Sequence, residues 1–353
     1  MSVLQPALDM IEPVLRDVDA KKRIVAAKCL GLLRGYDRMW ADSPYVIDSV
    51  EDTLTSDLYN PETERKSRSF TLAGKLDVRA VEQGTGARVL FDHKTTSEAI
   101  SDPNAPYWRI LAIDSQLSHY LMLEWLRGNK VDYGVWDVVK KPGISPRLLN
   151  KGEIKVVFET RLWCSESVSS EELDALIAEP RETAKMYAAR VAQECLEEKP
   201  EAYFQRRKIA RLNGEVLEYA NELWGHAQDI LTARREGRWP RNAGGCFTYN
   251  SPCTYLGICS GHDSAESENW KPRLWRHPEL VQIGDGDGTD VLTNSRVRTF
   301  QTCRRKHYLR YELGLERAEE EEREALYFGD LFHRALEQYF LALQHYQQKG
   351  TYA

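Results

Sequence analysis

The sequence predicts an α/β fold with a central sheet flanked by helices. Three observations carry that expectation. Residues 19–42 place apolar side chains at helical spacing, three strand-like runs follow between 45 and 96, and a helical segment then leads into a fourth strand-like run. At 353 residues, 42% hydrophobic and 29% charged, the chain has room for one large or two ordinary domains with a real core.

In 19-DAKKRIVAAKCLGLLRGYDRMWAD-42, Ile24, Ala27, Leu30, Leu33, Tyr36 and Trp40 recur at helical intervals and Asp19 is available as a cap, which predicts one amphipathic helix. Strands are predicted over 45–58, 68–82 and 87–96, with the turn-rich QGTG making the last two a hairpin. Residues 104–128 predict a helix, and 132–141 a strand returning beside the first ones. From 169 to 237 the pattern is helical, with 205-QRRKIAR-211 on a polar face, and it stops at Trp239-Pro240. The segment 244–261 is turn-rich and carries three cysteines. A polar stretch over 261–290, ending in GDGDGTD, reads as a linker. Asn294 or Ser295 then caps a helix over 295–315, the acidic run 319-EEEERE-324 reads as a solvated connection, and 329–348 predicts a further helix.

Composition narrows the function. No apolar run is long enough to cross a bilayer, and the start, MSVLQPALDMIEP, lacks the sections of a signal peptide, so a cytoplasmic protein without a membrane partner is expected. Seven scattered cysteines do not form a disulfide framework, which leaves metal chemistry or core packing. A net charge of -6 argues against a basic coat but leaves room for a local basic groove.

The stretch 90-LFDHKTTS-97 presents an acid and a lysine together, because Asp92 and Lys94 share one side of a strand with a side-chain period of two. Asp77 follows apolar Leu76 in GKLD. Gln116 and Tyr120, at i and i+4, share a helix face. His333 lies one turn after Gly329 on the last predicted helix. Each of these alone has an ordinary structural reading.

Together, GKLD, the hairpin, FDHKTT and QLSHY resemble the PD-(D/E)XK nuclease superfamily, specifically its RecB-like exonuclease branch, which includes the CRISPR-associated exonucleases. The resemblance implies a restriction-endonuclease-like central mixed sheet flanked by helices, with an additional helical region and a cysteine segment. It implies Mg²⁺ or Mn²⁺ held by Asp77, Asp92, the backbone carbonyl of His93 and, from a G-x-x-x-H motif, His333. Lys94 would orient or deprotonate the attacking water, Gln116 and Tyr120 would position the scissile strand and the lysine, and Glu51 would support the site from the preceding strand. The motif order is circularly permuted: residues 291–353 look like the family's beginning and residues 1–260 like its continuation, with 261–290 bridging them, so Ala353 must lie near Met1.

The cysteines resemble those of the iron-sulfur members of this branch. Cys246, Cys253 and Cys259 form C-x6-C-x5-C, and Cys303 stands far off in sequence, which implies a [4Fe-4S] cluster with Zn²⁺ as the alternative. The six-residue first gap departs from the family's usual two. Cys29, Cys164 and Cys195 read as structural or incidental. Arg296, Arg298, Arg304, Arg305, Lys306 and Arg310 stand beside Phe300, Tyr308 and Tyr311, and Arg206, Arg207, Lys208 and Arg211 form a second basic group, a pattern suited to single-stranded DNA. The implied activity is a DNA exonuclease of recombination, repair or mobile-element and CRISPR-type processing, with room for a helicase or another recombination or CRISPR protein as partner. The alternatives are an inactive nucleic-acid-binding module on the same fold and a zinc-stapled endonuclease.

Overall fold

In the computed structural model, which describes residues 2–248, 251–274, 289–319 and 324–350, the runs rich in β-branched and aromatic residues form the sheet. Strands β1 (Tyr45–Tyr59), β2 (Lys66–Glu82) and β3 (Arg88–Thr96) are successive antiparallel neighbours. Strand β4 (Tyr133–Lys140) lies parallel to β3, with Val89 opposite Tyr133 and Thr96 opposite Lys140. Two further strands complete a mixed sheet of order β1-β2-β3-β4-β5: β5 (Phe204–Ile209) runs antiparallel to β4, and the short β6 (Asp290–Leu292) lies parallel to β2 at Phe70–Leu72.

Helices cover both faces. On one, α1 (Gln5–Ile11), α2 (Ala20–Met39), α7 (Ala184–Gln193) and α10 (Glu324–Gln348) bury Val78, Ala80, Val89, Phe91 and Val135. On the other, α3 (Pro106–Ala112), α4 (Ser115–Leu126), α8 (Asn213–Glu236) and α9 (Asn294–Thr302) bury Leu72, Leu76, Leu90, Trp136 and Val138. Asp19 caps α2 through the Lys21 N–H at 2.8 Å. Close packing of α2 on α7 needs Gly31, since a Cβ there would lie 2.5 Å from the Ala188 carbonyl oxygen. Between β4 and α7, α5 (Lys151–Thr160) and α6 (Ser170–Ala178) form a small lobe on Val157, Leu173 and Leu176. No helix among the described residues is long and apolar enough to cross a membrane.

Several expected elements are corrected. Residues 104–128 are two helices, broken at Ile113-Asp114, where the Asp114 side chain accepts the Gln116 N–H at 2.8 Å and starts α4. The basic stretch 205–211 is not a helix face: residues through Ile209 form the strand that completes the far edge of β4, a case of sheet pairing overriding local helical pattern. The helix expected over 295–315 is capped instead by Thr293 and breaks at Cys303, whose backbone is extended (φ -162°), before a short turn of helix and a π-helical turn, Tyr308–Glu312.

The expected linker, 261–290, is ordered over its first half, where Trp270–Pro272 pairs with Leu315–Arg317 and Trp270 stacks on Tyr255 at 5.2 Å. Its remainder up to residue 288 lies outside the described residues, as do Met1 and Ala353. The acidic run is only partly described; its last residue, Glu324, opens α10 and takes ion pairs from Lys28 and Lys141. The last helix lies against the first: α10 packs with α1 and α2 in one core, and Gln347 bonds the Tyr45 carbonyl and the Ile47 N–H of β1.

Candidate active site

A split in the sheet makes the site. β1 borders β2 along nearly its whole length, whereas on the other edge β3 pairs only from Val78 opposite Phe91 to Val81 opposite Arg88, and β6 takes Phe70–Leu72. Among the described residues, 73–77 of β2 therefore have no strand on that edge. Helix α4 fills the space: His119 Nε2 donates to the Ala73 carbonyl at 3.1 Å and the Tyr120 hydroxyl to the Lys75 carbonyl at 2.7 Å. Gly74 permits this approach, since a Cβ there would stand 3.0 Å from the Tyr120 ring. Past Phe91, β3 follows β4 alone, and Asp77 and Asp92 face each other where the strands part.

Asp92 is fully buried and pairs with the Lys94 ammonium, yet neither of its oxygens accepts a properly aligned hydrogen bond from the described residues. Burial raises its pKa to about 6; Lys94 opposes the shift, Asp77 adds to it and His333 opposes it. Asp77 accepts the His93 N–H at 2.7 Å, and burial raises it too, against the pull of His93 and Lys94. Lys94 Nζ donates to Gln116 Oε1 at 2.7 Å, and Gln116 Nε2 donates to the Tyr120 hydroxyl at 3.0 Å. The ammonium also sits 5.3 Å above the Trp136 ring. A chain of hydrogen bonds thus runs from the lysine to the backbone of β2.

His333 enters from α10, which lies close against β3: a Cβ on Gly329 would meet Thr95 Oγ1 at 3.4 Å. Burial pushes its imidazole down to about 4, with His93 and Lys94 acting in the same sense and Asp92 and Glu51 opposing. Glu51 lies between the Val50–Val78 and Asp52–Leu76 pairs of the β1–β2 ladder with a left-handed backbone (φ 55°), a strained conformation for a residue inside a strand, and its carboxylate is 2.8 Å from Lys75 Nζ. The structure therefore brings together Glu51, Asp77, Asp92, Lys94, Gln116, Tyr120 and His333. The His93 N–H is held by Asp77, a contact separate from the role as a cation ligand expected of the His93 carbonyl.

Two further acids belong to this neighbourhood. Glu337, one turn beyond His333, is raised by burial and then by Glu51; its i+4 spacing from the histidine was the available signal. Asp137 stands behind His93 at 3.2 Å, and a lone acid inside the apolar run VWDVV was its signal.

A buried carboxylate without aligned donors fits a cation. Among the described residues, however, no three His, Cys, Asp or Glu side chains are drawn together in ion-holding geometry as they stand; Asp92 turns to Lys94 and Asp77 to the His93 N–H. The cysteines show the same pattern of proximity without closure. Burial raises the Cys259 thiol, and Cys253, Cys303 and Cys246 all add to the shift, so the four lie within electrostatic reach of one another. The Cys253 N–H donates to the Cys246 carbonyl at 2.7 Å, and Asn242 Nδ2 to the Thr302 carbonyl at 2.8 Å, which joins the two segments. Four thiols are the donor type of a [4Fe-4S] cluster or Zn²⁺, but among the described residues they are not gathered into ion-holding geometry. Cys29 and Cys195 are buried, and burial raises both thiols.

The expected DNA-binding groups divide. Arg296 is only 2% exposed and bonds Asp290, Glu312 and the Val291 carbonyl, so it is a structural residue. In the second basic group, Arg206 is buried with Asp137, Arg207 stacks 3.8 Å above Trp108, Lys208 pairs with Glu82 and Arg211 bonds the Ala112 carbonyl. Arg304, Arg305 and Lys306 are partly exposed, Arg298 pairs with Asp114, and Tyr308 stacks on Trp239 at 5.3 Å. Beside them a groove of about 470 Å³ is lined by His226, Arg241, Asn242, Gln301, Cys303 and Arg304.

A family model of the PD-(D/E)XK nuclease superfamily matches residues 291–351, the segment that carries Cys303, Gly329 and His333. No curated protein and no solved structure matches the chain. The family match supports a nuclease of that superfamily, whose members commonly use Mg²⁺ or Mn²⁺.

Proposed function

We propose that the chain is a metal-dependent DNA nuclease of the RecB-like PD-(D/E)XK type, an exonuclease acting on single-stranded or end-processed DNA in recombination, repair or mobile-element and CRISPR-type processing. One observation carries the reading. His333, from the segment that matches the superfamily, meets the ring of His93 at 6.3 Å; His93 holds Asp77 through its N–H and lies between Asp92 and Lys94, about 240 residues earlier in the chain. That proximity is what a permuted motif order requires.

In this reading Asp77, Asp92 and His333 hold Mg²⁺ or Mn²⁺. A divalent cation there supplies charge neutralisation at the phosphate and acidifies the attacking water. Lys94, steered by Gln116 and through it by Tyr120, orients that water and relays its proton. Burial of Asp92 strengthens its grip on a cation, because low-dielectric surroundings leave its charge poorly screened.

Cys246, Cys253, Cys259 and Cys303 hold a [4Fe-4S] cluster, or Zn²⁺ as the alternative, and staple the turn-rich segment to the helix pair that precedes α10. DNA approaches across Arg298, Arg304, Arg305, Lys306 and Tyr308, and a helicase or another recombination or CRISPR protein is the partner class in a cytoplasmic setting. The test is degradation of end-labelled linear single-stranded DNA with Mn²⁺, Mg²⁺ or EDTA, using anaerobically purified protein beside Lys94→Ala. Metal-dependent cleavage lost in the variant is expected. DNA binding without cleavage by wild-type protein that retains its cluster would instead make the chain an inactive binding module.

A further inference from the structure

A buried polar row runs beneath the site. The strand register sets His93 of β3 beside Asp137 of β4, and Asp137 beside Arg206 of β5. His93 Nδ1 is 3.2 Å and Arg206 Nε 3.3 Å from the Asp137 carboxylate, ion-pair contacts that are not aligned as hydrogen bonds, and the carboxylate also takes the Tyr36 hydroxyl from α2. Arg206 reaches on to the Tyr36 hydroxyl at 2.8 Å and to Ser43 Oγ at 2.9 Å. The row lies among apolar groups, with the Arg206 guanidinium 4.1 Å above Trp40 and 5.3 Å above Phe91. Well-packed apolar residues hold such a face together at least as well as buried ion pairs do. Such a row is weak evidence for stability, which leaves room for a role at the site.

His93 is where the row meets the active site. Its N–H grips Asp77, and its ring stacks on Phe340 at 4.9 Å and meets the His333 ring edge-on at 6.3 Å. By this point β3 has parted from β2, so no ladder bond from β2 fixes the peptide. We propose that His93 is a positioning residue: anchored through Asp137 to β4, β5 and α2, it sets Asp77 and His333 for a divalent cation. The inference rests on the nuclease reading for the cation, and on the register for the anchor.

Mn²⁺ titration of the full-length protein, followed by electron paramagnetic resonance of the free ion, tests it without requiring turnover. His93→Phe keeps a ring against Phe340 and loses the tie to Asp137; His93→Gln keeps a hydrogen-bonding group. The Phe variant is expected to bind Mn²⁺ about 10- to 100-fold more weakly, with kcat lowered and KM for DNA unchanged, while the Gln variant keeps most of the affinity and both melt cooperatively. Wild-type affinity in the Phe variant, or equal loss in both, overturns the inference. If the Phe variant does not fold, Asp137→Asn carries the same expectation. Wild-type protein that binds Mn²⁺ but cuts no DNA removes the nuclease reading and leaves this test standing, whereas wild-type protein that binds no Mn²⁺ overturns both.

Discussion

At the carboxylate site each side chain grows from a long element and is held by a neighbour: Asp77 by the His93 N–H, Lys94 by Asp92 and Gln116, His333 by a 25-residue helix packed across β3. The cysteine segment is built the other way. Cys246, Cys253 and Cys259 sit on or beside two-residue strands and a five-residue helix, over a core of Tyr255, Trp270 and Leu309. Packing alone can position the first region. The second has little buried apolar surface of its own, and in the proposed reading a crosslink through its cysteines supplies the missing order.

The sharpest way to test that contrast is on the packed side. Lys94→Ala is expected to lower metal-dependent cleavage by about 10²- to 10⁴-fold with melting unchanged, read by single-turnover cleavage and calorimetry. A large fall in melting temperature would mean that the lysine is structural.

On the crosslinked side, Cys303→Ser is expected to cost the segment 242–273 roughly 3–5 kcal/mol of local stability, the scale of a lost structural crosslink. Hydrogen exchange should rise there while β2 and β3 stay protected. Equal loss of protection in the sheet would dissolve the distinction between the two regions.

Acid titration should touch the packed region through His119, which caps the gap in β2. Burial pushes its imidazole down to about 4, whereas in the unfolded chain it titrates near the ordinary histidine value of about 6.5. Between those values the unfolded chain binds more protons, so stability is full above about pH 6.5 and falls toward pH 4, by on the order of 3 kcal/mol. His119→Gln should flatten that slope in pH-dependent melting.

The smallest effect is expected from Gln116→Leu. It leaves Lys94 on Asp92 but frees its other side, and should slow cleavage by roughly tenfold to a hundredfold through misplacement. A loss as large as that of Lys94→Ala would give Gln116 a direct part in the reaction.

The sequence by itself determined what depends on neighbours along the chain. Period-two alternation marked β1 to β4, Asp19 marked the start of α2, and the D-x-K and i, i+4 spacings placed Asp92 with Lys94 and Gln116 with Tyr120, because strand and helix geometry dictate which side chains share a face. Tertiary structure decided whatever depends on which distant surface is available. Strand β5 formed from a stretch with helical pattern because β4 had an open edge. Arg296, basic and aromatic-flanked like a DNA contact, went inside because Asp290 and Glu312 were there to pair with it. The parting of β2 from β3, the meeting of His333 with two carboxylates far back in the chain, and the row from His93 to Arg206 likewise arise from strand register and helix packing, and local periodicity holds no record of either.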